Sequence, residues 1–430
     1  MAVILLSIYF LYFWACSLYS IIAPFFPTEA KAKGMGEDQI GYLFSLYAIL
    51  AILFSPISGK IMMCVGRKKF LFIGCIIETV GILLFAFVTN FDGDTFVFLS
   101  FAARILQGMG GSALTVTLFA LIANMYPEDI EAKLGWMETM GGVGLILGPL
   151  IGGGFYSLVG YTLTFVIYVV VLAALTVATF LVLPSPKPSN DTEKAARKLS
   201  LLKLAFNGKV FPTLLVVMFG MAGPSYLEPV LSNHLKDNFD LSIEMISVVF
   251  ALPVIGYTTA VKGQTMLPKS FDRRIVLTVG LFIEGVAFFL VGPSFGLPSE
   301  IYLVITGLIL IGLGGAWAYL PSLPYMIDAA AKDMKIDDRE HLSDCLSTVM
   351  GTFHYVGEAL GPISAGLFTE YIGFNEGVTI FGGAVLIYTV IFGLITKALV
   401  NIFRCKCNRK SKKTGENDLK QKLIEGDNKN

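Results

Sequence analysis

Charge is scarce in this sequence. Asp, Glu, Lys and Arg make up 15% of its 430 residues, against roughly 25% in an average soluble protein. A water-soluble globule of this length needs a more polar surface, so a soluble enzyme and a disordered chain are both excluded. Neither sign is in excess: 32 Lys+Arg balance 32 Asp+Glu. That balance excludes an electrostatic nucleic-acid surface, and no nucleic-acid partner is expected. The six cysteines, Cys16, Cys64, Cys75, Cys345, Cys405 and Cys407, form no spaced framework, so disulfides are not expected. No His/Cys spacing resembles a zinc site, and no metal is expected. No Gly-x4-Gly-Lys-Ser/Thr run exists, so no ATP hydrolysis and no cofactor are expected. A cleavable signal peptide is missing too. The first apolar stretch starts at Met1 without a basic flank and runs to about Ile22, so it reads as a retained span.

What the chain has in abundance is apolar sequence, 55% of residues with a mean hydropathy of +0.72. A membrane-spanning helix needs ~20 apolar residues. Apolar runs divided at charged breaks give about twelve, roughly at 2–26, 39–64, 70–89, 95–125, 133–157, 161–183, 210–235, 243–267, 274–292, 300–330, 345–370 and 377–403. The longest polar stretch between spans carries Pro184, Pro186 and Pro188 and a basic run to Lys209. It divides the chain into a six-span bundle at 1–183, a linker at 184–209, a second six-span bundle at 210–403 and a tail at 404–430. Basic residues gather on the linker's side, among them Arg67, Lys68, Lys69, Lys133, Arg273, Arg274 and Arg339. The opposite loops offer only Lys31, Lys33 and Lys236. The positive-inside rule therefore places the linker and both termini in the cytosol. The sequon at Asn190 is then hidden from glycosylation.

The halves repeat weakly. Gly144-x3-Gly148-Pro149-x3-Gly153 recurs as Gly357-x3-Gly361-Pro362-x3-Gly366, a shift of 213 residues. The same shift carries Phe155 onto Phe368, Gly160 onto Gly373 and Tyr161 onto Phe374. Two related six-span bundles point to a transporter with its site between the halves near the midplane. Recurrence of Gly-Pro pairs in unrelated membrane helices is the plainer alternative.

These residues also carry a family resemblance. Gly144 to Gly153 is similar to the fifth-span antiporter motif of the major facilitator superfamily, drug/proton antiporter type. Arg104-Ile-Leu-Gln107-Gly108-Met-Gly110-Gly111 resembles its fourth-span motif, and Gly66-Arg67-Lys68 after Gly59 resembles its loop motif between spans two and three. That loop normally holds an Asp-Arg pair; Met63 and Cys64 stand there, which removes the acid of the usual charge latch. Pro24-Phe-Phe-Pro27-Thr-Glu29, Leu134-Gly-Trp-Met-Glu138-Thr and Glu370-Tyr-Ile-Gly373-Phe are similar to the vesicular amine transporter family, most closely its vesicular polyamine transporter branch. The similarity runs over most of residues 18–375. It implies an all-α integral membrane protein with a twelve-span major facilitator fold of two pseudo-symmetric six-helix bundles. It also implies exchange of lumenal protons for cytosolic cationic amines.

The charged residues can be read independently. Glu78, Glu138, Glu228, Glu284 and Glu358 lie inside apolar stretches, and Asp328 sits near the end of one. A charge at the bilayer centre costs at least ~2.5–3.5 kcal/mol on insertion scales. Few basic residues share the spans: Arg104, Lys262 and, at an edge, Lys60. These acids therefore face water, stay protonated or await a cation. Competition between proton and amine for one carboxylate suffices for exchange.

Glu228 lies in Tyr226-Leu-Glu228-Pro229, where Pro229 lets the helix break. A carboxylate beside a break and an aromatic ring is a candidate cation site; a gate residue in water is the plainer reading. The amine transporters have an acid at a similar place. Glu358 lies within the second Gly-Pro motif, with His354 and Tyr355 beside it. A lone histidine, however, is commonly a satisfied core residue. The substrate-binding candidates are thus Glu228, Tyr226, Glu358, Tyr355 and Trp317, with Trp136, Tyr319 and Phe353 as further rings for a cation.

The proton-coupling candidates are Arg104, Glu138 and Asp328. The family links an arginine at the position of Arg104 to proton transfer and has an acid placed similarly to Asp328. A structural bond and a solvated helix end are the respective alternatives, and Glu138 is a candidate partner of Arg104 or a gate. Glu78 and Glu284 have no motif behind them, and helix packing or interface pairing is their reading. Gly144, Gly148, Pro149, Gly152, Gly153, Gly361 and Pro362 form the conformational motif, with a bend at Pro149. Cys405 and Cys407 follow the last span, where free thiols or palmitoylation are the options.

Together these features predict a secondary transporter, not an enzyme. It would exchange protons for a small-molecule organic cation, polyamine or monoamine, by alternating access, as a monomer in the lipid bilayer of a vesicle or other acidic organelle. The rivals are a broad multidrug/proton exporter at the plasma membrane, a non-transporting sensor or scaffold of the same fold, and an importer or uniporter of neutral solute, which the membrane acids disfavour.

Overall fold

The computed structural model describes residues 2–126, 129–183, 201–266, 271–293, 298–335 and 338–397. The sequon at Asn190, Cys405, Cys407, most of the linker and the tail lie outside the described residues. The described residues are helical, with no strand among them. The first half holds α1 (Ala2–Ser20), α2 (Phe26–Ala32), α3 (Glu37–Val65), α4 (Arg67–Phe87), α5 (Gly93–Met125) and α6 (Ile130–Val182). After the short α7 (Leu201–Ala205), the second half holds α8 (Val210–Leu227), α9 (Leu231–Phe239), α10 (Ile243–Ala251), α11 (Pro253–Met266) and α12 (Arg273–Val291). It continues with α13 (Ile301–Tyr319), α14 (Ser322–Met334), α15 (Arg339–Ile372) and α16 (Phe374–Ile395).

Ten of these stretches are long and apolar enough to cross a membrane. One of them, Lys133–Val182, is two arms folded at Gly160, whose φ of 79° and ψ of 178° interrupt the helix. The 34-residue α15 is more polar, yet it packs along α8 and α3 as a further crossing. The described helices are thus consistent with twelve spans. Helical dihedrals continue through Pro149, and the break comes at Gly160. In the second half, prolines break three crossings. α8 gives way to α9 at Glu228–Pro229, α10 to α11 before Pro253, and α13 to α14 at Pro321, each where a missing N–H interrupts the ladder.

The packing explains the repeated glycines. A Cβ on Gly148 would lie 2.5 Å from the Ser17 carbonyl of α1, and one on Gly361 would lie 2.5 Å from the Ala222 carbonyl of α8. Gly144 and Gly357 meet the carbonyls of Phe13 and Met218 in the same way, and Gly152 abuts Ile21. Each Gly-Pro helix therefore lies backbone-to-backbone on the first helix of its own half. Gly160 and Gly373, aligned by the 213-residue shift, both sit at positive φ, 79° and 92°, and turn the chain into the next crossing.

One hydrophobic core fills the first half, around Phe25, Phe26, Phe85 and Phe165. A second, around Tyr226, Phe288 and Phe392, and a smaller third near Leu204 and Met326 fill the other half.

The halves meet through α6 with α10 and through α15 with α3. At the end away from the linker they are tied by polar contacts. Lys31 bonds Asp237 at 3.0 Å, Asn233 donates to Glu37 at 3.0 Å, and the Glu37 N–H donates to Glu370 at 3.0 Å. Gly153 abuts Ser247, and Gly366 lies against Gly41 and the Glu37 carbonyl, so small residues bring the halves into contact at that end. At the linker end, three polar links each lie within one half. Lys209 pairs with Asp333, Lys68 caps the Leu183 carbonyl, and Asp328 joins Arg273 and Arg339.

Candidate functional site

The site is built around a cation that has no salt-bridge partner among the described residues. Arg104 on α5 is 0% exposed. Its guanidinium donates to Gln107 Oε1 at 2.9 Å and to the Tyr19 carbonyl at 3.4 Å. Gln107, one turn on, donates to the Gly81 carbonyl at 3.3 Å and is fixed by α4. Three rings surround the guanidinium carbon, Tyr19 at 5.7 Å, Phe44 at 5.8 Å and Tyr47 at 5.5 Å. Such contacts are each worth about 0.5–2 kcal/mol. Nε has no hydrogen-bond partner.

Facing it across the halves is Glu228, in the break between α8 and α9 that Pro229 enforces. The groups that act on its carboxylate are Glu358, Arg104 and Tyr19, and its Oε2 is buried with no hydrogen-bond partner. Two acids and one arginine thus share one region of low dielectric, where each charge acts strongly on the others. On α15, Glu358 and His354 are one turn apart and hydrogen-bonded at 3.1 Å. Glu138 approaches the same region from α6, where its electrostatic partner is His354 and not Arg104. Glu138 and Trp136 are exposed on the linker side of α6.

The structure therefore brings together Arg104, Glu138, Glu228, Glu358 and Tyr355, and sets three other candidates apart. Tyr226 is buried in the second core against Phe288 and Phe381, with ring centroids 5.9 and 4.6 Å away. Trp317 donates to the Ala260 carbonyl at 3.0 Å and fastens α13 to α11. Asp328 lies at the linker end between Arg273 and Arg339, half exposed. Sequence reasoning missed Tyr12, Cys16 and Tyr19, which interact with the site's acids from the first half, and Tyr47, whose ring faces Arg104. Gln107 had a usable signal, its i,i+3 spacing from Arg104; the tyrosines had none.

Glu78 and Glu284 are both fully buried within their own halves, and neither carboxylate has a hydrogen-bond partner. Their backbones pack on equivalent glycines, Gly110 and Gly314. They are pseudo-symmetric counterparts, each packed inside its own half.

Comparison with known proteins decides the class. The profile described as Major Facilitator Superfamily matches residues 8–335 and 213–401. The chain belongs to the Major Facilitator Superfamily. Among relatives, the rat MFS-type transporter SLC18B1 is 27% identical over 400 residues, covering 92% of this chain and 85% of that one. The human synaptic vesicular amine transporter is 25% identical over 375 residues, covering 83% and 66%. Among solved structures, the nucleoside transporter NupG superposes with a TM-score of 0.71 at 14% identity, covering 92% of this chain and 99% of that one. A bacterial homologue of the human lysosomal transporter Spinster, inward-facing and unoccupied, gives 0.66 at 15% identity, covering 91% and 95%. These structures share the facilitator fold. The protein is accordingly a multi-pass membrane transporter and not an enzyme, as its apolar runs and repeated Gly-Pro motif predict.

Proposed function

We propose that this facilitator exchanges protons for organic cations by alternating access, at one site between its halves. The observation that carries this reading is the meeting of Glu228, Glu358 and Glu138 with the buried Arg104 and a set of tyrosines. A buried carboxyl can hold a proton or a cation, and binding one displaces the other. Glu228 and Glu358 would take the cationic group, with Tyr355 as an aromatic wall. Arg104 and Glu138 would couple the proton. Asp328 would act at the linker end, where its two arginines hold α12, α14 and α15 together in one conformation. Tyr226 and Trp317 would support the site by packing.

The Gly-Pro pairs would serve the motion. Gly144, Gly148, Pro149, Gly152, Gly361 and Pro362 let α6 and α15 lie close on α1 and α8, so each half can rock as a body, and Gly153 lets α6 meet Ser247 across the halves. The ties at the far end and the exposed Glu138 at the linker end suit a state open toward the linker. The excess of basic residues there supports a cytosolic position for that side and for both termini. Organic cations are the favoured substrate because three carboxylates face a single arginine there. A relative named a synaptic vesicular amine transporter supports an amine and a vesicle membrane. We read the chain as a monomer, with bundles at 1–183 and 210–403 joined by a linker at 184–209 and followed by a tail at 404–430.

The test is uptake of labelled spermidine and serotonin into proteoliposomes with an acid interior. The expected result is accumulation of one or both that vanishes when the pH gradient is collapsed. Accumulation indifferent to the gradient would remove proton coupling, and uptake of many unrelated cations would favour a multidrug exporter.

A further inference from the structure

We infer that His354 is a proton-operated counter-ion of Glu358: as an imidazolium it holds that carboxylate in place of the substrate, and on losing its proton it yields Glu358 to the substrate's cationic group. This rests on the proposed exchange and adds to it the residue that makes cation binding depend on the proton.

The geometry is specific. His354 Nε2 and Glu358 Oε1 are 3.1 Å apart on successive turns of α15, with side chains 24% and 13% exposed. The imidazole is held edge-on by Tyr319 of α13, at 5.5 Å and 74°, and by Tyr355, at 5.5 Å and 68°. Its orientation toward Glu358 is therefore fixed by rings on two helices. The titratable groups facing it are Glu358 and Tyr355 on its own helix, Tyr319 from α13 and Glu138 from α6 of the other half. Both charged groups in that set are carboxylates, so the ring stands where an organic cation would find its partners.

Histidine suits this task because its unperturbed charge change falls between about pH 5 and 8. It is one of only three in the chain. The repeat puts Gly141 at the matching place in the first half, where a Cβ would crowd Tyr12. The imidazole is therefore particular to one half, as a single exchange site requires.

The proton balance is simple. On the neutral side His354 releases one proton to water, the remaining imidazole carries no charge, and Glu358 accepts the cation. On the acidic side a proton from water adds to the imidazole, the imidazolium–carboxylate pair re-forms, and the cation leaves.

The test measures labelled spermidine exchange by the full chain in proteoliposomes with equal pH on both sides, between about pH 5.5 and 7.5. Wild type should bind more weakly as the pH falls, approaching about tenfold per unit. His354→Gln should still exchange spermidine, with an affinity that depends on pH several-fold less steeply than in wild type, and should lose most of its gradient-driven accumulation. His354→Lys, which leaves a permanent cation beside Glu358, should exchange little at any pH. Elution as a single folded species qualifies each variant, and His354→Asn substitutes for a Gln variant that fails this check. A His354→Gln protein with the wild-type pH profile, or a folded His354→Lys protein with wild-type exchange, overturns the inference. Wild-type exchange that is flat with pH also overturns it. A wild type that exchanges neither spermidine nor serotonin overturns the antiport reading itself.

Discussion

The two halves share a skeleton and differ in chemistry. Gly144 and Gly357 occupy the same seam, Gly160 and Gly373 make the same turn, and Glu78 and Glu284 are buried in the same way. The groups of the site have no such twins. Aligned by Gly110 and Gly314, Arg104 of the first half corresponds to the buried Leu308 of the second; aligned by Phe13 and Met218, Glu228 corresponds to Ala23; and the 213-residue shift sets Glu358 against Leu145. Close helix packing demands a small residue wherever two backbones meet, so duplication keeps it. A central ion site demands the reverse. A duplicated Glu228 or Arg104 would set like charges against each other in a region of low dielectric. The repeat thus reports how the halves move, and the departures from it report what they handle.

That contrast can be attacked directly. The largest effect is expected from Glu228→Gln. Exchange of organic cation should fall about 30-fold or more, in line with about 2–5 kcal/mol for removing the carboxylate that pairs with a buried cationic group. Measured in proteoliposomes with intact folded protein, near-normal exchange would take Glu228 out of the site. Next come Gly144→Val and Gly357→Val. Each should cost about 1–3 kcal/mol through overpacking, so their melting temperatures should drop by similar amounts. A large drop in only one would deny the shared skeleton.

Arg104→Lys keeps the charge but loses the planar fork that reaches Gln107 and the Tyr19 carbonyl. It should weaken proton dependence several-fold while cation binding persists; unchanged proton dependence would make Arg104 structural. Asp237→Asn breaks the tie to Lys31, whose side chains are 58% and 51% exposed. Such an exposed pair is worth about 0–1 kcal/mol, so accessibility of a single cysteine at the far end should rise only modestly. The smallest effect belongs to the buried twins. Glu78→Gln and Glu284→Gln should each leave exchange within about twofold of wild type. A strong loss from either would move that acid from the skeleton into the chemistry.

Much of the fold is legible in the sequence because membrane spans are written in hydropathy, and glycine marks the seams. The break at Gly160 and the Gly144/Gly357 repeat follow from that alone. The central charges are legible for the opposite reason: Arg104, Glu138, Glu228 and Glu358 stand out as costly exceptions inside apolar runs. Two candidates that lie apart from the central charges show what sequence position leaves out. Tyr226 is two residues from Glu228, about 200° round a helix, and so points into the core. Asp328 sits beyond the break at Pro321, on α14, and meets arginines from two other helices. The rings around Arg104 come from α1 and α3, and nothing local separates Tyr19 and Tyr47 from the chain's 17 tyrosines. The twin acids were obscured because Glu78 and Glu284 are 206 residues apart and so fall outside the 213-residue register.

The central claim is that a proton and an organic cation compete for the same carboxylates between the halves. Its most direct test is proton release from the purified protein in a weakly buffered solution as spermidine is added. Competition predicts release that saturates with spermidine and is lost in Glu228→Gln. Saturable spermidine binding with no proton release would contradict it.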